Sequence, residues 1–367
     1  MRHPPPPSHR RRDLLAWPLL AAPASAWPAG AVPSAQRADF ASDRPGVPLA
    51  FPRDHGAHPD FRTEWWYLTG WLEADAREFG IQLTFFRSRT THAPGNPSRF
   101  APHQLLLAHL ALADPALGRL RHAQRAVRVG FRDAEVSTQD TSLRLGDWQL
   151  ARQADDRYRL RAGGADFAID LVARPATTPV AQGEAGFSRK GPRETQASYY
   201  YSRPQLAIGG EIRLEARRHA VSGGVAWLDH EWSSEVLDPR AAGWDWVGLN
   251  LDDGRSLMAF RIRTRDGAEL WSHARWSDAS QPAPAPRFEP RRHWRSPRSA
   301  GRYPVEMSLT VGEQTFTLVP MFDDQEIDAR ASTGGHYWEG AVRVVSQGRS
   351  VGRGYLELTG YAAPLSL

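Results

Sequence analysis

The stretch DHGAHPDFRTEWWYLTGW, Asp54 to Trp71, crowds histidines, carboxylates and aromatic rings into a short segment. Its second half alternates. In an extended chain Glu64, Trp66, Leu68 and Gly70 point one way, and Trp65, Tyr67, Thr69 and Trp71 the other. Both faces carry large rings, so both sides of this strand are expected to be covered, one by a barrel interior and one by a partner domain. The DHGAH segment before it reads as an irregular loop, because Gly56 and Pro59 interrupt regular structure. His55 and His58, with Glu64, are metal ligands by residue type. However, H-x-x-H needs a helix or tight turn to converge, so polar residues closing a barrel end are expected and no metal.

The same period of two recurs along the chain. EFGIQLTFF puts Ile81, Leu83 and Phe85 on one face; DFAIDLV turns Phe167, Ile169 and Leu171 inward and Asp166 and Asp170 outward. QTFTLV and GYLELTGY behave alike, and the Asp-Gly pairs in DDGRS and RDGAE are hairpin turns. Helical spacing is scarce: HQLLLAHLALADPALG passes for a helix or equally for a buried strand. The Pro- and Arg-rich run from Gln281 to Pro304 reads as a long loop. The chain is therefore expected to be all-β, with antiparallel strands closing into barrels or sandwiches to hide their edges. A Gly- and Ser-rich stretch around Lys190, followed by Tyr199-Tyr200-Tyr201, suggests two domains, 49–205 and 206–367.

The N-terminus reads as an export signal over residues 1–26. A basic region precedes a mildly apolar run and an A-x-A site at Ala24-Ser25-Ala26, and Arg11-Arg12 fits the twin-arginine pattern. Residues 27–48 form a flexible lead. The signal holds four Arg and one Asp, so the net charge of +5 falls to +2 beyond it. No basic stripe interleaved with aromatics points to nucleic acid. No later segment is long enough to span a bilayer, the best being Gln104 to Asp114, which carries His109. With no cysteine, disulfides, thiolate metal sites and cysteine nucleophiles are excluded. A periplasmic or secreted protein is expected. Of 46 basic residues one is lysine, Lys190. Where arginine is used everywhere else, a compact ammonium is either required at that place or a chance survivor on a loop.

The combination of FPRDHGAHPDFRTEWWYLTGWL, SYYYSRP, GVAWLDHEWSS, GWDWVGLNLDDG and HYWEGAVRV with GYLELTGY resembles the two-domain lipocalin-like proteins related to carotenoid 1,2-hydratases (AttH/CrtC-like, also called predicted secreted hydrolases). It runs from about Phe51 to Tyr361. The resemblance implies two lipocalin-like antiparallel β-barrels packed side by side. It also implies cofactor-free hydration of an isoprenoid alkene, or an apolar ligand merely carried.

WLDHEWSSE is the densest polar and aromatic cluster, with Asp229 and Glu231 on one strand face and His230 and Trp232 on the other. GWDW follows with Trp244, Asp245 and Trp246. For hydration, Asp229 or Asp245 is the candidate acid, His230 the orienter or base, and Glu64 a further desolvated carboxyl. Trp65, Trp66, Tyr67, Tyr200, Trp232, Trp244 and Trp246 are the expected walls of a long apolar pocket. The rival reading is an exported carrier of a lipophilic molecule, with an envelope transporter as partner; it needs the aromatic walls but not the acids. His336, Tyr337 and Glu339 in HYWEG read as structural. GRSVG, Gly348 to Gly352, matches a nucleophile elbow by letters only, since it lies between two strand patterns rather than between a strand and a helix.

Overall fold

The computed structural model describes residues 39–92, 96, 98, 101–130, 133–235 and 237–365. The export signal and residues 27–38 of the lead lie outside them. Among the described residues the regular elements are strands, apart from a single 3-10 turn at Arg53–His55; turns and loops join them.

The first sheet contains β1 (Thr63–Ala74), β2 (Arg77–Arg89), β3 (Gln104–Asp114), β4 (Arg119–Arg128), β5 (Ala134–Val136), β6 (Ser142–Leu145), β7 (Trp148–Arg152), β8 (Tyr158–Gly163), β9 (Phe167–Arg174), β10 (Val180–Ala181), β11 (Phe187–Arg189), β12 (Ala197–Leu214) and β13 (Arg217–Ser233). Its order is β4-β3-β2-β1-β13-β12-β9-β8-β7-β6-β5, with β10 and β11 paired to β12. The second holds β14 (Ala241–Leu251), β15 (Ser256–Thr264), β16 (Glu269–Trp276), β17 (Arg287–Arg295), β18 (Arg302–Val311), β19 (Gln314–Pro320), β20 (Glu326–Asp328), β21 (His336–Ser346) and β22 (Arg349–Leu358). Its order is β16-β15-β14-β22-β21-β19-β18-β17, with β20 on β21. The pairings within both sheets are antiparallel. Each sheet curls around its own apolar core: Trp66, Leu68, Phe85 and Leu228 belong to the first, Val247, Met307, Trp338 and Leu356 to the second. The expected pair of lipocalin-like barrels, side by side, is what the chain forms.

Two segments resolve as strands where the letters left a choice or pointed to a loop. Gln104–Asp114 is the buried strand β3, not a helix. The Pro- and Arg-rich run contains β17, whose alternation is masked because Phe288 is its one buried residue. As the last strand of its sheet it tolerates Pro290, since an edge leaves some N–H positions unpaired. The strand β12 crosses position 205 without a break, and the first sheet ends at Ser233.

The two barrels meet along a seam of aromatic residues. Tyr67, Trp71, Tyr200 and Trp227 from the first sheet pack with Trp246, Met258, Phe260, Ile262 and Tyr355 from the second. Each large ring so removed from water contributes on the order of 2 to 3 kcal/mol. Polar ties accompany them. Trp71 Nε1 donates to the Gly354 carbonyl (3.0 Å), and Arg353 bridges Glu73 and Glu78 at 2.8 Å each. Strand alternation thus sends one set of side chains of β1 and β13 into the first barrel and the other into the seam, as the opening stretch implied.

Candidate active site

Register places the seam-facing residues in rows. On the first sheet Tyr67 stands opposite Asp229, which stands opposite Ser202; the next row is Trp65, Glu231 and Tyr200. On the second sheet one row runs Glu339, Glu357, Trp246, Phe260, His273 across five strands. Gly248 makes room here: a Cβ at that position would lie 2.5 Å from the Trp246 ring and 2.9 Å from Trp227.

Asp229 is 2 % exposed. Its carboxyl accepts from Tyr200 Oη (2.7 Å), Ser202 Oγ (2.5 Å) and Trp227 Nε1 (2.7 Å), and Tyr200 Oη in turn accepts from Trp246 Nε1 (3.1 Å). These donors are all neutral. Burial therefore outweighs the hydrogen bonds, the Glu231 charge adds to it, and the Asp229 pKa is pushed up to about 7. Two residues along the same face, Glu231 has a different environment. It pairs with the Lys190 ammonium at 2.8 Å and accepts from Ser198 Oγ at 2.6 Å. Lys190 Nζ also sits 4.8 Å from the Tyr200 ring and 4.4 Å from that of Phe260. One strand face thus carries one carboxyl with a cation partner and one without. Environments that divide two carboxyls in this way separate an acid from a base.

Two more carboxyls approach from the second sheet. Glu339 accepts from Tyr67 Oη at 2.5 Å, its other oxygen is buried without a partner, and burial with the nearby Glu357 charge lifts it well above the ordinary range. Glu357 accepts from Trp244 Nε1 at 2.8 Å and is pushed up to about 7, first by burial and then by Asp229 and Glu231. Glu357, Trp65, Trp244 and Leu237 keep partial exposure, so this part of the seam reaches solvent.

The expected site residues therefore divide into three groups. Asp229, Tyr67, Tyr200, Trp65, Trp244 and Trp246 share the seam. Glu64, His230, Trp66 and Trp232 face the first barrel instead. There Glu64 Oε1 binds His230 Nε2 and His58 Nδ1, both at 2.9 Å, and Glu64 Oε2 accepts from Arg87 Nε at 2.7 Å. Trp232 stacks on His58 at 3.6 Å and Trp66 on His230 at 4.5 Å. Burial pushes Glu64 up, but the hydrogen bonds with His230 and His58 and the charges of His230 and Arg87 hold it below the usual carboxylate range. His230, lowered mainly by burial, bonds Glu64 and Tyr201 and makes no bond to Asp229, its sequence neighbour. By donor type His58, Glu64 and His230 suit a divalent cation. Arg87, already bound to the same carboxylate, would then lie against a second positive charge, which favours the hydrogen-bonded network. His55 does not join this trio; it meets Tyr201 at 3.0 Å. Asp245 stands alone in the second barrel, where Arg261 (2.6 Å), Arg263 (2.9 Å) and Tyr361 (3.0 Å) occupy both oxygens.

The residues that the letters undervalued are Glu339, Glu357 and Lys190. A lone glutamate between leucines in GYLELTGY, and the one lysine of the chain, were the available signals. The long apolar pocket has no counterpart among the cavities described. One of about 200 Å³ is lined by Asp60, Arg89 and His103, and one of about 380 Å³ by Arg77, Met321 and Arg343.

Two lipocalin-like barrels joined along a buried carboxyl and tryptophan seam define the class. Within it, the chain belongs to the AttH-like family, whose model matches residues 42–361. It is similar to the crystal structure of a candidate AttH from Nitrosomonas europaea: 48 % identity, TM-score 0.82, covering 88 % of this chain and all of that one. Kievitone hydratase from Nectria haematococca shares the fold at 14 % identity and TM-score 0.63, over 89 % of this chain and 98 % of that one. So does CghA crystallised with Sch210972, at 14 % identity and TM-score 0.51, over 90 % and 97 %. A search of the curated proteins gave no match. No helix among the described residues is long and apolar enough to cross a membrane.

Proposed function

We propose that the seam adds water across an isolated double bond of an apolar, isoprenoid-like substrate, without a cofactor, in a protein exported to the periplasm. The observation that carries this reading is Asp229, a carboxyl held by neutral donors alone, lifted to about 7 and set among Tyr200, Trp227 and Trp246. Such a group is protonated on a large fraction of molecules at neutral pH and can act as an acid.

In the proposed step the Asp229 proton forms a C–H bond with the electron pair of the double bond. Positive charge develops on the more substituted carbon, facing the rings of Tyr67, Trp227 and Trp246. The new carboxylate is received by the hydroxyls of Tyr200 and Ser202 and the indole N–H of Trp227. A water lone pair closes on the cation and its proton passes to Glu231; Glu231 then releases that proton to solvent, and solvent returns one to Asp229. The sum is one water added. Lys190, paired with Glu231, keeps a negative charge within reach of the cation.

The test is incubation with squalene, lycopene and geranylgeraniol in H₂¹⁸O, followed by mass spectrometry. Incorporation of one labelled hydroxyl is expected, and Asp229→Asn should reduce it at least about a hundredfold, the usual contribution of general acid catalysis. Saturable binding of these probes with no incorporation would replace the hydratase by a carrier. Undiminished incorporation by the Asn variant would remove Asp229 as the acid.

A further inference from the structure

The seam is electrically polarised along its length. Glu339 and Glu357 occupy one end of the row that passes through Trp246 and Phe260, and His273 occupies the other. Around His273 the side chains are cationic. Lys190 reaches the Phe260 ring, and Arg275 shares a face of β16 with His273 and Trp271, two residues apart each. Arg189 lies 4.4 Å over the Trp271 ring.

Counter-charge is scarce here. Glu231 answers Lys190. Arg189 donates to the carbonyls of Gly191 and Pro192, and Arg275 makes a single long bond, 3.4 Å, to the Gly183 carbonyl. Among the described residues neither arginine meets a carboxylate. Arg275 nevertheless loses enough water for burial to lower its pKa. Its Nε and the Nε2 of His273 are both buried without a hydrogen-bond partner. His273 is held down to about 4 by burial first, then by the charges of Lys190 and Arg275. A buried donor left without a partner is costly, and a partly desolvated guanidinium without an anion adds to that cost. The Lys190 ammonium has three donors and gives one to Glu231.

We infer that this end of the seam is a head-group site: the apolar chain the seam accommodates terminates in an oxyanion, carboxylate or phosphate, received by Arg275, Lys190 and His273. The inference rests on the seam being the ligand site, as in the hydratase reading, and adds the substrate class. It fixes orientation too, since an anionic end anchored beside Phe260 lays the following chain along Trp246 towards Asp229 and the acidic end.

The probes are farnesoic acid, farnesyl phosphate and farnesol, which share one chain, followed by quenching of tryptophan emission at pH 7. The oxyanion probes should bind at least about tenfold more tightly than farnesol, the effect of one charge-assisted hydrogen bond. Arg275→Gln should narrow that advantage several-fold, Lys190 and His273 keeping the remainder, and leave farnesol itself unchanged. The stronger of the two oxyanions identifies the head group. Raising ionic strength on the unmodified protein should narrow the preference, a check that does not depend on the variant folding. If farnesol binds and the oxyanions bind no better, or if their advantage survives Arg275→Gln undiminished, the head-group site is refuted while the seam remains a ligand site. If no probe binds, both readings fall together.

Discussion

Replacing Asp229 by Asn should reverse its effect on stability as pH rises. The native carboxyl titrates at about 7, against 3.8 for the free group. Between these values the folded state holds a proton that the unfolded chain has released. Stability from this group is therefore full below about pH 4 and is lost as pH climbs through 7. About three pKa units at 1.36 kcal/mol each give a loss of about 4 kcal/mol. Asn mimics the neutral carboxyl at every pH. Its oxygen can still accept from Ser202 and Trp227, while Tyr200 must turn its hydroxyl to accept from the amide. The variant should thus be no more stable than the parent below about pH 4, and should gain about 2 to 3 kcal/mol on it between pH 5 and pH 8, the part of the loss that falls in that window. The assay is urea unfolding followed by tryptophan emission at each pH, with midpoints and slopes compared. Titrations away from the seam, such as at Glu64 and Asp54, are common to both proteins and cancel in the difference, while Glu357, which feels the Asp229 charge, shifts with it. Parallel stability curves from pH 5 to 8 would refute the claim that Asp229 is protonated in the native seam, and with it the acid.

Three other outcomes are expected. Glu64→Gln leaves Arg87 buried without its carboxylate and should cost about 3 to 5 kcal/mol near neutrality, read by thermal unfolding. Because the native pKa of Glu64 is depressed, its contribution is lost as pH falls, so the gap between variant and parent should shrink towards acid. Gly248→Val puts atoms where the Trp246 and Trp227 rings lie, and should blue- or red-shift tryptophan emission and abolish probe binding while the barrel cores persist by circular dichroism. Replacing both Arg11 and Arg12 by Lys should block export if the twin-arginine route is used, as cell fractionation would show; unchanged export would leave the general secretory route.

Much of the fold was legible because a strand announces itself by alternation alone. TEWWYLTGW stated which side chains share a face before any partner was known. What lies opposite each face is a long-range property, and the site depends on it. Asp229 and His230 are adjacent letters, which invited a shared role, yet a strand turns neighbours to opposite sides of a sheet. The flanking tryptophans of Asp245 suggested a dry carboxyl; Arg261 and Arg263 come beside it only once β14 pairs with β15. Glu339 and Glu357 looked like isolated acids because only the register of β21 on β22 sets them side by side. Lys190 was conspicuous by type, but its place between Glu231 and two rings depends on both barrels being present.

The wall formed by β1 and β13 belongs to both chambers at once, and this restricts how such a chain can change over generations. Along β13 the odd positions 227, 229 and 231 serve the seam, and 230 and 232 serve the first barrel. Loss or gain of one residue in WLDHEW would exchange the two sets, putting imidazole among the seam carboxyls and carboxylates against Arg87's cage. Both chambers would fail in one event. Descendants can therefore explore this wall by substitution, or by length changes of two, but not by a single step in length. Lineages sharing the fold should show indels in the hairpin ends of these strands and none within the segment that divides the chambers.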